Sequence, residues 1–389
     1  MSTSLAEQLK RLQKPQTSQL IDRREKPSIL FDQKEAANKD RETIYEIGLS
    51  GLQELIAING EFQTFETTLF DRSAKDLERS VEDKEVNKQL DKTIKKFMIR
   101  LSPYFMLQSS HKCLEWLIRR FHVESYNQDE VMMLILPYYE TRMFVRCVQA
   151  LDLEGVDKRW GWLMPTKKNG LPLSKQTLMN HAGSDSYFLQ FIGKMVMDSV
   201  KEHGSRSGTL QALIGFFVTT VIGALESVRE VTESHVIAIL PSLLKGFSST
   251  AIDFTAATYM ILGQLLSKTS VSPNTLDKII PKIVSTAPSG LQVDATMLLV
   301  LIYQTQQKHF TQISDEALDS VVLVSWIPKC LGRLVAEGVR IDSLISPLLG
   351  SALRKVQQKS VNYMGCKSFC ENLLLEVRFN EEDAAMIIR

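Results

Sequence analysis

Apolar residues recur every three to four positions over long stretches of the chain, which is the period of an amphipathic helix. From Asp40 this period holds until Asn59-Gly60, a pair typical of a helix end. The apolar positions of this stretch are Ile44, Ile47, Leu52, Leu55 and Ile58. No window of useful length alternates apolar and polar residues with a period of two. The sequence therefore predicts an all-α protein without strands.

The same period predicts further helices along the chain. A narrow apolar stripe near the N-terminus predicts a short helix that ends before Pro15 and contains Leu5, Leu9 and Leu12. Longer helices are predicted at residues 86–101, 114–121, 252–266 and 293–303. These lengths are ordinary for helices of globular proteins.

A proline that follows two apolar residues recurs in the second half of the chain, at Pro241, Pro281 and Pro328. The intervals of 40 and 47 residues are those of HEAT or armadillo helix pairs. Pro137 is an earlier copy, and Pro103 lies 34 residues before it. Because proline removes a main-chain hydrogen bond, we expect it to bend the first helix of each pair. We predict an α-solenoid of HEAT/armadillo-like helix pairs; the alternative is one irregular helical domain whose prolines fall by chance.

Composition and charge narrow the classes of function. The 46 Lys and Arg residues balance 45 Asp and Glu residues, which excludes binding of nucleic acid through bulk charge and leaves room only for local basic surfaces. Hydrophobic residues make up 44% of the chain, enough for a large core. The five cysteines, an odd number, and the absence of glycosylation sequons favour a reducing compartment. The polar N-terminus does not resemble a secretory signal.

One uncharged stretch, residues 207–225, is long enough to be considered as a membrane span. It contains Gln211, Thr219 and Thr220 as well as Gly215 and Gly223, and it has no basic or aromatic belt on its far side. These features favour a buried helix of a helical fold, and we expect no contact with a membrane.

Motifs of catalysis or cofactor binding are absent from the sequence. It contains neither a phosphate-binding loop nor a dinucleotide fingerprint. Cys366 and Cys370 lie four residues apart without a second ligand pair nearby, so buried small cysteines are the better interpretation. His111 and Cys113 would point away from each other on a helix. We predict that the protein is not an enzyme and has no cofactor, metal site or small-molecule substrate.

Two segments concentrate positive charge locally. In the first, lysines recur at successive helical turns and line one face of the helix predicted at residues 86–101. They are Lys84, Lys88, Lys92 and Lys95. A row of this kind is a candidate contact for RNA or a protein partner; the alternative is an ordinary solvated helix face.

The second segment, residues 158–175, mixes basic and aromatic residues with two glycines and two prolines, and its composition predicts a loop. Its candidate contact residues are Lys158, Arg159, Trp160, Trp162, Lys167 and Lys168. Cationic and aromatic side chains together suit phosphate pairing and base stacking on single-stranded RNA. The alternative is that the two tryptophans anchor the loop to the helical core.

Several long strings in the first half of the chain keep the order found in one known family. They include SILFDQKEAANKDRET at residues 28–43 and KCLEWLIRRFHV at residues 112–123. The others lie at residues 4–9, 77–91, 101–105, 126–131, 136–146 and 168–178. In these strings the chain resembles the small-nucleolar-RNA-associated protein 10 family over residues 1–180. The likeness is looser beyond, where residues 235–350 fit the family's N-terminal conserved domain.

The resemblance implies a nucleolar, non-enzymatic α-solenoid. Members of the family belong to the small-subunit processome, engage the 5′ external transcribed spacer of pre-ribosomal RNA, and act with small nucleolar RNA. They are needed for early 18S rRNA maturation and for transcription by RNA polymerase I. The expected partners are therefore other processome subunits and these RNAs. A HEAT-repeat transport receptor or coat-type adaptor is the alternative, because such proteins share the architecture.

Pattern and resemblance together predict the organisation of the chain. We expect an N-terminal arm with a short amphipathic helix, helical repeats, the basic loop, further repeats, the conserved HEAT-like domain and final helices. Their boundaries are 1–30, 31–150, 151–180, 181–234, 235–350 and 351–389. Because members of the family are much longer, and the apolar run at residues 384–389 lacks a helix stop, we expect the helical array to continue beyond this chain.

Overall fold

The computed structural model describes residues 27–154, 158–204, 207–306 and 313–379. In these residues every regular element is helical and no strand occurs, which confirms the predicted all-α class. The N-terminal helix predicted from Leu5 to Leu12 lies outside the described residues, as does the apolar run at residues 384–389. The chain forms two compact units, residues 1–177 with 201–203 and residues 178–200 with 204–389.

The first unit contains eight α-helices in its described residues. They are α1 Gln33–Asn38, α2 Arg41–Ile58, α3 Lys84–Leu101, α4 Gln108–Phe121, α5 Val123–Tyr126, α6 Gln128–Ile135, α7 Arg142–Ala150 and α8 Met164–Asn169. Five short 3₁₀-helices connect them, at Gly60–Phe65, Arg72–Lys75, Ser102–Tyr104, Leu136–Tyr138 and Lys158–Leu163.

The bounds of α2 follow from local chemistry. Before the helix, the Asp40 carboxylate accepts a hydrogen bond from the Thr43 N–H at 2.9 Å, as a capping residue does. After it, Asn59 leaves the helical conformation. The helix packs tightly against α4, because a Cβ built on Gly48 would lie 2.5 Å from the Trp116 Cβ. Both predicted ends of this helix are confirmed.

The prolines of the first unit mark two neighbouring helix ends. Helices α3 and α6 pack against each other, and each continues into a 3₁₀-turn that carries Pro103 or Pro137. The Tyr138 hydroxyl donates a hydrogen bond to the Ser102 carbonyl at 2.6 Å, which joins the two turns. The two prolines that lie 34 residues apart, Pro103 and Pro137, thus mark the ends of two adjacent helices.

The second unit contains the remaining helices of the described residues, two of which share residues with the first unit. They are α9 Lys175–Ser184, α10 Ser186–His203, α11 Gln211–Ser227, α12 Glu233–Phe247, α13 Ile252–Lys268, α14 Pro273–Thr286, α15 Gln292–Thr305, α16 Asp315–Val322, α17 Trp326–Ala336, α18 Asp342–Gln357 and α19 Tyr363–Glu376. Two 3₁₀-turns lie at Ser207–Leu210 and Ser289–Leu291.

These helices form two rows. In one row α11, α13, α15, α17 and α19 pack each on the next, and in the other α12 packs on α14, α14 on α16 and α16 on α18. Contacts between the rows join α12 to α13, α14 to α15, and α18 to α19. Stacked helix pairs of this kind are the unit of HEAT-type repeats. The predicted architecture of helix pairs is confirmed.

Two of the three recurring prolines are equivalent in the structure. Pro241 and Pro281 lie inside α12 and α14, which are successive helices of the same row. Pro328 instead lies in the first turn of α17, in the other row, where an N–H would have no partner within the helix. The interval of 47 residues is therefore not a repeat, and Pro347 inside α18 is the copy that the pattern missed.

The uncharged stretch of residues 207–225 forms most of α11, which packs against α13 with side chains such as Phe216 and Phe217 buried. Among the described residues, no helix is long and apolar enough to cross a membrane.

Candidate nucleic-acid interface

The lysine row of α3 is exposed in its first half. Lys84, Lys88 and Lys92 all extend into solvent, and the nearest carboxylate to Lys88 is that of Glu85, 3.9 Å away and itself exposed. An exposed pair at that distance is strongly screened by water and contributes little. This part of the helix therefore presents three ammonium groups and the carboxylate of Glu85, while its second carboxylate, that of Asp91, pairs with Arg79.

Acidic side chains lie beside the second half of the row and offset its charge. Lys95 is half-buried and lies near Glu130 of α6; burial raises the pKa of Glu130, and the charge of Lys95 opposes that rise. Lys96 and Arg100 both contact Glu202, with the Arg100 Nε 2.8 Å from its carboxylate. The basic surface consequently ends near Lys92.

The second basic segment is not the loop that its composition predicts. It forms the 3₁₀-helix Lys158–Leu163 and then α8. Pro165 occupies the first turn of α8, where the missing N–H costs nothing, and Gly170 ends the helix with a φ of 65°. We correct the loop prediction accordingly.

Trp160 is a core residue. Its side chain is 2% exposed, and its Nε1 donates a hydrogen bond to the Asp129 carboxylate at 3.0 Å. Arg159 pairs with the same carboxylate through its guanidinium. The structure thus places the ring of Trp160 in the protein interior, where the alternative of a core anchor expects it.

The remaining predicted residues of this segment differ in exposure. Lys168 is exposed, whereas Lys167 is half-buried and donates its ammonium to the Leu151 carbonyl. Trp162 is half-buried. The side chain of Lys158 lies outside the described residues. Of this group, Lys168 is the cation best placed for an external phosphate.

Both basic segments meet the same acidic turn. Asp129 and Glu130 open α6, where negative charge also suits the helix dipole. Asp129 holds Arg159 and Trp160, while Glu130 lies near Lys95. The structure thus brings parts of the two predicted segments to one place, but there they are neutralised.

A cationic cavity of about 240 Å³ was not predicted from the sequence. Two neighbouring residues of α4, Arg119 and Arg120, line it with side chains that are 8% and 5% exposed. His122, at the end of α4, lies beside them, and the hydrogen bond that its imidazole donates to the Glu124 carboxylate raises its pKa. Arg119 and Arg120 interrupt an apolar string, and that was the only signal in the sequence that they are buried.

Catalytic and metal chemistry find no support in the described residues. No group of three or more His, Cys, Asp and Glu side chains there is arranged to hold a metal ion. The five cysteines are buried and free. Burial raises the pKa of Cys147 to about 12, which keeps it a thiol, and raises the pKa of Cys113 and Cys370 as well.

Stacked helix pairs and local cationic surfaces define the class, an α-helical repeat protein of the HEAT type. A family model described as U3 small nucleolar RNA-associated protein 10 matches residues 235–352. The chain is 42% identical over all its 389 residues to HEAT repeat-containing protein 1 homolog of Drosophila melanogaster, of which the match covers 19%. It is 44% identical over 307 residues, 77% of its length, to HEAT repeat-containing protein 1 of Homo sapiens and covers 14% of that protein.

A more distant relative carries the family's other name. The chain is 30% identical over 243 residues, 61% of its length, to U3 small nucleolar RNA-associated protein 10 of Candida albicans, and it covers 13% of that protein. These matches confirm the resemblance to the U3 small nucleolar RNA-associated protein 10 family that the sequence indicates. The chain spans a fifth or less of the length of these curated relatives.

Proposed function

We propose that this chain is part of a non-enzymatic scaffold of the small-subunit processome and associates with the U3 small nucleolar RNA. The observation that carries the proposal is the 42% identity to HEAT repeat-containing protein 1 homolog along the whole chain. The match of residues 235–352 to U3 small nucleolar RNA-associated protein 10 supports it. Stacked helix pairs suit such a role, because they offer an extended surface to several partners at once.

The finer parts of the proposal rest on the family resemblance. The chain acts in early pre-18S rRNA processing in the nucleolus, together with other processome subunits. It contacts the 5′ external transcribed spacer of pre-ribosomal RNA, and it supports transcription of ribosomal DNA by RNA polymerase I. A scaffold needs neither a cofactor nor a substrate pocket. The five cysteines are buried, so their thiols do not suggest a nucleophile at a surface site.

For RNA contact we propose Lys84, Lys88 and Lys92, with Lys168 from the second segment. These four are exposed. Lys95, Arg159 and Lys167 are second choices, because each already interacts with a neighbouring group of the protein. Lys158 and Trp162 complete the second choices, and Trp160 is left out because it is buried.

The experiment that tests the function is recovery of RNA with the tagged chain from cells. We expect the precipitate to be enriched in the U3 small nucleolar RNA and in 5′ external transcribed spacer RNA relative to a spliceosomal small RNA. The tagged chain should also concentrate in nucleoli. A precipitate in which U3 is no richer than the spliceosomal RNA would contradict the proposal.

The lysine row can be tested on the purified chain through the salt dependence of RNA binding. Each phosphate contact on single-stranded RNA contributes roughly 0.7 to the slope of log affinity against log salt. Replacing Lys84, Lys88 and Lys92 with Gln should therefore lower that slope by about 2. The matched control replaces three exposed lysines of the second unit, Lys194, Lys245 and Lys278, with Gln. Equal slopes for the two triple variants would show that the α3 row is not a phosphate contact.

A further inference from the structure

A surface without charged side chains crosses three successive helices of one row in the second unit, α11, α13 and α15. The side of a surface helix that faces water normally carries charged residues. In α13, no charged residue lies between Asp253 and Lys268, and in α15 none follows Asp294. The uncharged stretch of α11 extends to Leu225. Water therefore meets uncharged side chains in the middle of all three helices.

Large apolar side chains are exposed on this surface. Met260 of α13 is 58% exposed, Met297 of α15 is 40% exposed, and Ile252 at the start of α13 is 50% exposed. Leu301 of α15 and Ile222 of α11 are half-buried. Single exposed apolar residues are common, whereas a contiguous group marks a site of interaction. The contacts between the helices decide whether these residues are contiguous.

Contacts between α13 and α15 make the two methionines neighbours. A Cβ on Gly263 would lie 3.1 Å from the Leu301 Cδ2, and Gln306, which follows α15, donates a hydrogen bond to a carbonyl in the last turn of α13. Because both contacts advance together along the two helices, the helices run in the same direction. Met260 precedes Gly263 by about one turn, and Met297 precedes Leu301 by about one turn, so the two methionines lie at the same level.

Contacts between α11 and α13 extend the group to a third helix. The Gln264 amide donates from Nε2 to the Glu226 carboxylate at 3.4 Å, and earlier in the two helices a phenylalanine ring of each lies 5.9 Å from the other. These helices therefore also run in the same direction. Ile222, one turn before Glu226, is level with Met260, one turn before Gln264. We call the resulting surface the apolar band; it consists of Ile222, Met260, Met297 and Leu301.

Charged residues border the apolar band unevenly. On the side of the helix starts, Asp253 and Asp294 are exposed, and no basic residue of the three helices lies on that side. On the side of the helix ends, Glu226 and Lys268 are both exposed and offset each other. The side of the helix starts is therefore an acidic edge.

The next helix of the row, α17, ends the band. Cys330 of α17 lies beside Thr296 of α15. The residue before it, Lys329, is exposed. Arg333 is exposed as well, but its Nε donates to the Glu337 carboxylate at 2.9 Å. Lys329 is thus the principal cation at this end of the band.

We infer that the apolar band binds an amphipathic helix of a protein partner, with basic side chains along one edge of its apolar stripe. The inference rests on the proposed scaffold role and names a surface for one of its protein partners. Packed helices lie about 8–10 Å apart, so the band spans about 16–20 Å across three helices. A partner helix with apolar residues at i, i+4, i+7 and i+11 covers about 16 Å. Methionine side chains suit such a contact, because they adapt to irregular apolar surfaces.

The surrounding charges select the basic edge of the partner and its orientation. Lysine or arginine side chains on that edge lie against Asp253 and Asp294. The C-terminal end of the partner helix, where the helix dipole is negative, points towards Lys329. Phosphates of RNA would meet the acidic edge and be repelled. A second copy of this chain would present the same acidic edge rather than a basic one, which disfavours self-association through the band.

The test measures binding of two labelled peptides of about 15 residues to the purified full chain. Both have leucine at i, i+4, i+7 and i+11; one carries lysine and the other glutamate along the same edge. We expect the lysine peptide to bind more tightly, and the double variant Met260→Gln/Met297→Gln to lower its affinity about tenfold. Asp253→Asn/Asp294→Asn should lower it about threefold. The matched control is Ile237→Gln on α12, a residue that is 61% exposed and lies outside the band, and it should bind like the wild type.

A second measurement needs no variant. A lysine peptide with a photoreactive group at one of its apolar positions should label the wild-type chain within residues 252–268 or 292–305. Because all the substituted residues are exposed, the variants should fold like the wild type, and thermal unfolding checks this.

Four results would overturn the inference. One is a lysine peptide that binds the folded methionine variant as tightly as it binds Ile237→Gln. Another is a glutamate peptide that binds the wild type as tightly as the lysine peptide does. A third is labelling confined to residues outside the two helices. The fourth is a wild-type chain that self-associates in sedimentation while the methionine variant stays monomeric, because the band would then bind a second copy.

The failure of this inference can be told apart from the failure of the proposed function. If the chain recovers U3 small nucleolar RNA from cells while the lysine peptide ignores the methionine substitutions, the function stands and the surface is wrong. If the methionine variant loses the lysine peptide while the wild-type chain recovers no U3 small nucleolar RNA, the surface stands and the function is wrong.

Discussion

The side-chain amide of Gln306 bonds to the main-chain carbonyl of Leu266, with its Nε2 donating at 3.0 Å. Gln306 follows α15 and is 2% exposed, and Leu266 lies near the end of α13. The same nitrogen also donates to the Thr269 carbonyl at 3.1 Å, while Oε1 accepts from the Val271 N–H at 3.0 Å. Gln306 thus satisfies main-chain hydrogen-bonding groups at the end of α13, the neighbouring helix of its row, and in the segment that follows.

Replacing Gln306 with Ala should leave these buried main-chain groups without partners and lower the free energy of unfolding by about 2–3 kcal/mol. The matched control is Gln304→Ala, which removes an exposed hydrogen bond to the Arg340 carbonyl and should cost less than about 1 kcal/mol. Urea unfolding measures both losses, and hydrogen exchange of the Val271 amide should accelerate in the first variant alone. Equal losses in the two variants would show that the link between these helices is not structural.

Glu115 of α4 is a second buried connector, with no exposed surface. Its carboxylate accepts hydrogen bonds from the Ile29 and Leu30 N–H groups, at 2.8 and 3.2 Å, and so holds the chain before α1. Glu115→Ala should cost about 3–5 kcal/mol, because it leaves these groups and Arg119 unpaired.

The control for Glu115 is Glu54→Ala on the neighbouring helix α2. Glu54 pairs with Lys112 of α4 at 2.6 Å, but both side chains are partly exposed, so the loss should stay below about 1 kcal/mol. Glu115→Gln, which keeps an acceptor oxygen, should fall between the two. Limited proteolysis near residue 30 should be faster in Glu115→Ala than in the wild type, and unchanged cleavage would contradict the proposed role.

Close packing of α2 on α4 depends on Gly48. A Cβ there would approach the Trp116 Cβ to 2.5 Å, a separation that requires one helix to move. Gly48→Ala should therefore destabilise the first unit by about 1–3 kcal/mol, although alanine favours helices. Gly60→Ala is the control, because nothing lies within 4 Å of its Cβ position. Chemical denaturation compares the two, and a Gly48→Ala chain as stable as Gly60→Ala would refute the packing argument.

His122 makes stability depend on pH. A hydrogen bond from its Nδ1 to the Glu124 carboxylate, at 3.2 Å, raises its pKa above 6.5. A group whose pKa is raised by folding stabilises the folded state fully below pH 6.5, and this contribution disappears as the pH rises through the folded value. Glu124→Gln should lower the pKa of His122 and flatten the fall in stability between pH 6 and pH 8. An NMR titration that placed wild-type His122 at or below 6.5 would contradict this account.

Features that depend on neighbours in the sequence were predictable. The ends of α2 at Asp40 and Asn59 follow from capping chemistry and periodicity, which are local properties. Pro241 and Pro281 identified successive helices of one row for the same reason. Pro328 was wrongly predicted to be a further copy, because two apolar residues before a proline do not distinguish the first turn of a helix from its interior.

The candidate site depended on contacts that the sequence does not encode locally. Trp160 and Trp162 have similar sequence surroundings, yet Trp160 is buried, with its indole N–H bonded to Asp129 of α6, and Trp162 is only half-buried. Arg119 and Arg120 read as a helical basic pair, and only the packing of the preceding and following segments buries them. Family resemblance identified the class of protein, whereas the position of its cationic surfaces required the structure.

The most direct test of the account is recovery of crosslinked RNA with the tagged chain from cells. After ultraviolet crosslinking and stringent washing, we expect enrichment of U3 small nucleolar RNA and of 5′ external transcribed spacer fragments over a spliceosomal small RNA. The same measurement on the triple variant of Lys84, Lys88 and Lys92 should show reduced recovery at equal protein level. A wild-type chain that crosslinks to neither RNA would contradict the account.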